Sequence, residues 1–181
     1  MDNLTLQTLR TLCTVLVALA LTACRPTLTA TPASLARADS LVLDRSPCFG
    51  RCPVYRLSLH ADGSVMFTPL PPSDTTRTAS DSILPTQFEG LLHEAERIDF
   101  FGLPPIILDD HTFCPVAATD HPTATVTVFR ADSVNRVVDY QGCRAGNDTS
   151  VVARLEALRH FESAIDSVAG SERWVRPARR R

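Results

Sequence analysis

The chain has 181 residues with 18 basic and 20 acidic side chains, a formal net charge of −2, and every basic residue is an arginine. The absence of lysine rules out Schiff-base chemistry, a P-loop lysine and a pyridoxal-phosphate enzyme. The near-neutral balance argues against a nucleic-acid partner. Hydrophobic residues at 44% and charged residues at 21% describe a folded globular chain. Seven glycines leave little for a Gly-rich phosphate loop, and the length allows one compact domain after a targeting segment is removed.

Residues 1–23 read as a signal peptide. A start carrying Asp2 and Arg10 leads into the apolar run Leu12 to Leu21, shorter than the ~20 residues a membrane-spanning helix needs. The run ends in Leu21-Thr22-Ala23-Cys24, which resembles the bacterial lipobox. The resemblance implies that Cys24 is acylated on its sulfur and becomes the first residue of a lipid-anchored protein. Two or three acyl chains give stable anchoring where one myristoyl chain does not. Residues 24–39 then form the acylated cysteine and a Thr, Ala and Pro-rich linker, holding the domain on the order of 20 Å from the membrane. The expected location is the cell envelope. Arg25 after the cysteine, where enterobacterial inner-membrane lipoproteins carry Asp, favours the outer membrane under that sorting rule.

The domain is expected over residues 40–170. Tyr55, Leu57 and Leu59 alternate with Arg56, Ser58 and His60, the period of a half-buried strand. A three-residue Ala61-Asp62-Gly63 turn with a left-handed Gly63 places Leu59 opposite Val65 and Leu57 opposite Phe67, giving one apolar face. A helix starts at Pro85, with Phe88, Leu91, Leu92, Ala95 and Ile98 at helical spacing and Leu84 as a poor cap. Gly102 and Pro104-Pro105 end it, and residues 102–122 read as irregular. A second hairpin follows: Thr123 to Arg130, a turn near Ala131-Asp132-Ser133, and a return strand from Asn135 to Tyr140. A final helix runs from about Ser150 to Ala169, with Leu155, Leu158, Phe161, Ile165 and Val168 on one face and Gly170 as stop. The expected class is α+β: an antiparallel sheet from two hairpins with two helices on one face. The order, with Cys-Pro-Val at 52–54 and again at 114–116, fits a tandem ββα repeat. Residues 171–181 read as a solvated Arg-rich tail, with anionic lipid or glycan phosphate as its other use.

Four cysteines remain in the exported domain, Cys48, Cys52, Cys114 and Cys143. An even number in an exported protein points to two disulfides, with three connectivities open. Spacing favours Cys114–Cys143 across the open end of the second hairpin and Cys48–Cys52 across Phe49-Gly50-Arg51.

The segment Pro47-Cys48-Phe49-Gly50-Arg51-Cys52-Pro53-Val54-Tyr55, with Asp62-Gly63 and Asp120-His121-Pro122-Thr123, resembles a bacterial domain family of unknown function with a Cys-Phe-Gly-x-Cys-Pro-x-Tyr signature, often found in lipoproteins. The resemblance covers roughly residues 40–170 and implies no activity. Cys48-x-x-x-Cys52-Pro53 is also similar to the copper motif of Sco-type chaperones, where two thiolates and an imidazole hold Cu(I). Those proteins place βαβ units around the motif, whereas here a hairpin follows it, so the expectation is a structural disulfide with copper or thiol-redox chemistry as the alternative.

Asp109, Asp110, His111 and Cys114, with Asp120 and His121, are metal-ligand types without a metal spacing. They read as loop residues, Asp120 bonding the turn before Pro122, and a hydrolase built on His111, Asp120 and His121 ranks last. His93-Glu94 begins a His-Glu-x-x-His pattern that Arg97 breaks. No nucleophile motif is present, so no catalytic residue and no cofactor is assigned. The leading expectation is a lipid-anchored, non-enzymatic binding or assembly domain. Its partners would be the membrane, through the anchor, and an envelope protein or glycan.

Overall fold

The computed structural model describes residues 38–73 and 77–175. Six strands form one fully antiparallel sheet: β1 (Ala38–Arg45), β2 (Tyr55–His60), β3 (Ser64–Pro69), β4 (Ala79–Ser82), β6 (Thr123–Arg130) and β7 (Ser133–Tyr140), in the order β4-β3-β2-β1-β6-β7. A two-stranded ladder pairs β5 (Val116–Ala117) with β8 (Cys143–Arg144). The helices are α1 (Pro85–Arg97), α2 (Thr149–Ala169) and the short α3 (Glu172–Val175). Helices set against one face of an antiparallel sheet make this an α+β fold.

Alternation sets the faces. Leu41 and Leu43 of β1, Leu57 and Leu59 of β2, Val65 and Phe67 of β3, and Val126 and Val128 of β6 share one register and are all buried. They pack on Phe88, Leu91, Leu92 and Ala95 of α1 and Leu155, Leu158, Phe161 and Ile165 of α2 in one core. Each of the Val, Leu, Ile and Phe side chains contributes about 1.5–3 kcal/mol on burial. The other sheet face carries small polar residues such as Ser58, Thr68 and Thr127, with Met66 exposed among them.

The first hairpin has the expected register, Leu59 opposite Val65 and Leu57 opposite Phe67. Gly63 has φ 86°, a conformation that suits glycine. The helix start at Pro85 is also as expected. Leu84 supplies no side-chain cap, but its N–H donates to Gln87 Oε1 at 2.9 Å, half of a capping box. For α2 the cap is Asp148, whose Oδ1 accepts from Ser150 N at 2.9 Å and Val151 N at 3.4 Å. Gly170, at φ 66°, ends the helix.

The sheet holds more than the two hairpins. β1 lies between them, so β2 and β6 flank it and run parallel to each other. Its first two residues lie within the stretch read as linker. The entirely polar or small β4, Ala-Ser-Asp-Ser, adds an edge beside β3. The order hairpin, helix, hairpin, helix is present, but the Cys-Pro-Val echo diverges: Val54 leads directly into β2, whereas Val116 belongs to β5 and β6 begins at Thr123. A 3-10 turn at Phe100–Gly102 leads into residues 102–122, which contain a second at Ile107–Asp109 besides β5. At the C-terminus, Trp174 of α3 packs on Phe67 with ring centroids 5.3 Å apart, and Arg173 pairs with Asp81 of β4. Residues 171–175 therefore belong to the packed domain rather than to a solvated tail.

Candidate functional site

The end of the sheet where β1 finishes and β2 begins carries both disulfides. Cys48–Cys52 closes a loop with Cα atoms 5.6 Å apart, and Cys114–Cys143 joins the segment before β5 to β8 with Cα atoms 5.0 Å apart. This is the pairing that hairpin spacing favoured. The two bridges differ in setting: Cys114 and Cys143 are buried, while Cys48 and Cys52 are half-buried in an exposed loop whose Phe49 is 89% exposed. That loop is braced, since Phe49 N–H donates to the Asp120 carbonyl at 3.2 Å. Nearby, Thr123 N–H donates to Ser46 Oγ at 2.7 Å and Tyr140 OH to the Ala118 carbonyl at 2.8 Å.

Beneath this end runs a row of polar residues across the core face. Asp139 of β7, Ala124 of β6, Arg45 of β1 and Tyr55 of β2 are successive cross-strand neighbours. Ala124 leaves room above itself for longer side chains from α2. The Arg45 guanidinium donates to Asp166 Oδ2 at 2.8 and 3.2 Å and to Glu162 Oε2 at 3.2 Å. Tyr55 OH donates to Asp166 Oδ1 at 2.6 Å, and Ser171 Oγ to the same oxygen at 2.8 Å. Gln141 Nε2 donates to Glu162 Oε2 at 3.1 Å. Arg159 donates to Asp139 Oδ2 at 3.0 Å and to the Cys143 carbonyl at 3.0 Å.

The cluster holds three carboxylates against two guanidiniums. Burial, and then the negative charge of Asp139, push the Glu162 carboxyl up to about 7, against the opposing pull of Arg45. Burial and the Asp166 charge push the Tyr55 hydroxyl up to about 12. Asp139 is fully buried, and its Oδ1 has no hydrogen-bond partner. One proton on Glu162 near neutral pH brings the set toward charge balance. These contacts make the cluster a bracket fixing α2 to three strands, with Asp139 and Glu162 buried and Asp166 partly exposed.

A sequence profile described as a domain of unknown function, DUF6438, matches residues 39–169. The chain belongs to the DUF6438 family. No curated protein matches it significantly.

Within the DUF6438 domain the other predicted residues stay apart. Asp110 Oδ1 accepts from Thr112 N at 2.8 Å and Phe113 N at 3.3 Å, and these turn hydrogen bonds hold its carboxyl below the usual range. Asp120 has φ 70° and accepts from Thr119 Oγ1 at 3.1 Å. Among the described residues Asp109, His111, Asp120 and His121 form no set of three or more ligands able to hold a metal. Glu94 accepts from Arg97 Nε at 2.7 Å, the residue that breaks the His-Glu-x-x-His pattern. The buried cluster was not foreseen from the sequence. One signal was there: positions 155, 158, 162, 165 and 169 form the buried stripe of α2, and Glu162 occupies a core position in it with 1% exposure.

The stretch read as a signal peptide, the expected acylation site Cys24 and residues 176–181 lie outside the described residues. No described helix is long and apolar enough to cross a membrane.

Proposed function

We propose that this chain is a lipid-anchored bacterial cell-envelope protein whose DUF6438 domain is a non-enzymatic binding or assembly module. The observation that carries the reading is Leu21-Thr22-Ala23-Cys24 at the end of a short apolar run. The two disulfides support it, because such bonds persist in oxidising, exported compartments. The topology is compatible with it as well. The chain enters the domain at Ala38, beside Arg130 and the β6–β7 turn. The Cys48–Cys52 loop leaves from the far end of β1, roughly 23 Å away at about 3.3 Å per residue. The disulfide end therefore lies at the opposite end of β1 from the point where the chain enters the domain.

The decisive experiment is metabolic labelling with palmitate. The wild-type chain incorporates label and is processed, and Cys24→Ala leaves an unlabelled precursor. Equal labelling and processing of the variant refutes the anchor. The competing reading is copper or thiol-redox chemistry at Cys48 and Cys52, favoured by the accessibility of that loop. It requires selective reduction of this pair by glutathione and uptake of one Cu(I), which thiol counting and copper titration test.

A further inference from the structure

We propose that the β7 edge of the sheet binds a short extended segment of a partner polypeptide, apolar with one acidic residue, as an added strand. The inference rests on reading the domain as a binding module and names where it binds.

The two edges of the sheet are treated differently. Exposed edges invite pairing with foreign strands, and proteins blunt them with short, charged or covered strands. β4 is blunted: it has four residues, none large and apolar, and its Asp81 is ion-paired with Arg173. β7 is eight residues long and carries Val134, which is 59% exposed.

Strand parity shows which backbone groups point outward. Ser133 pairs with Arg130 across the two-residue turn, and Val138 N–H donates away from β6, to the Pro105 carbonyl at 2.9 Å. Alternation then turns the N–H and C=O of Val134 and Arg136 the same way as those of Val138. Residues 105–107 already cover the lane at Val138, where Ile106 bridges it in the parallel sense. Among the described residues no backbone group covers Val134 or Arg136. Two residues with outward donors and acceptors offer four hydrogen bonds to an incoming strand.

Side chains beside this lane select the occupant. Phe100, Phe101, Leu103 and Pro105 face Val134 to Val137 across an open cleft of about 330 Å³. A peptide residue on the core side of the added strand enters that cleft, so an apolar residue is favoured. On the other face, Val134 neighbours the exposed Phe129, which favours a second apolar residue. Arg136 shares that face and forms no ion pair among the described residues. A carboxylate opposite it supplies the missing counter-charge. Backbone pairing gives affinity and alternate side chains give specificity in this mode of recognition.

The test uses the full chain in detergent micelles and a fluorescein-labelled probe, Ser-Val-Val-Glu-Val-Val-Ser, whose palindromic core fits either strand direction. Expected are saturable binding by anisotropy and slowed amide exchange in the segment containing Val134 and Arg136. Val134→Pro removes one outward N–H without touching the β6–β7 ladder and should weaken binding at least tenfold. Arg136→Glu should do the same and invert the preference toward a probe with Lys at the centre. No saturable binding at millimolar probe, or binding indifferent to both substitutions, overturns the proposal. So does a dimer of the full chain that Val134→Pro converts to monomer, since the occupant is then a second copy. The Cys24→Ala chain separates the two readings. If it is unlabelled yet binds the probe, the groove stands whatever the anchor does. A palmitate-labelled chain that ignores the probe sinks the groove alone.

Discussion

Glu162→Gln tests the buried cluster most directly. In the unfolded chain the carboxyl titrates near its ordinary 4.5, and in the folded protein burial and Asp139 hold it at about 7. Between those values the folded state binds the extra proton, so stability from this group is greatest below pH 4.5. It falls as pH rises to about 7 and is level above that. The difference corresponds to a loss on the order of 3 kcal/mol, at 1.36 kcal/mol per pH unit. Gln keeps the volume and cannot lose a proton, while Arg45 retains Asp166. The variant should therefore lie close to wild type at pH 5, where the folded wild-type carboxyl is protonated and the Gln amide oxygen can accept from Arg45 in its place. At pH 8 it should gain about 2–3 kcal/mol relative to its own pH 5 difference, because part of the loss has already occurred at pH 5. Urea unfolding followed by the fluorescence of Trp174, the single tryptophan, reads both values, since Trp174 packs on Phe67 in the folded state. The wild-type-minus-variant difference isolates this group from every other titration. An identical difference at pH 5 and pH 8 refutes the assignment of a protonated Glu162 near neutrality.

The two disulfides should rank by loop length. Converting Cys114 and Cys143 together to Ala opens a loop with a sequence separation of 29 and should cost roughly 3–4 kcal/mol by the chain-entropy argument; the same change at Cys48 and Cys52, separation 4, should cost about 2 kcal/mol. Urea midpoints of the two double variants check the order, and a reversed order refutes it. Gly63→Ala should destabilise by about 1–3 kcal/mol, because φ is 86° and a Cβ there meets the Ile83 carbonyl. Its thermal midpoint should fall, and an unchanged midpoint would mean the turn relaxes into another type.

Local pattern was enough for the parts of this protein whose partners are close in sequence. The alternation from Tyr55 to Phe67 identified β2 and β3, their turn and their register, because a period of two and a glycine at the third turn position admit one consistent apolar face. Helical spacing located α1 and α2 for the same reason, and the short distance around the second hairpin made the Cys114–Cys143 pairing readable. What escaped depends on pairing across long separations. Ala38–Arg45 has only three large apolar residues and resembles linker, yet it becomes the central strand because β2 and β6 both pair with it. β4 carries no apolar pattern and exists as a strand only through β3. Arg45 looks like an ordinary surface arginine until the fold brings it to Asp166, 121 residues away. Glu162 alone stood out on its stripe; the Asp139 carboxylate and the Arg45 guanidinium that surround it came from β7 and β1. Burial, which turns these charges into a bracket and sets the Glu162 carboxyl near 7, is a property of packed layers; spacing along the chain carries no information about it. The same holds for the β7 edge. A strand is an edge only by virtue of what fails to pair with it.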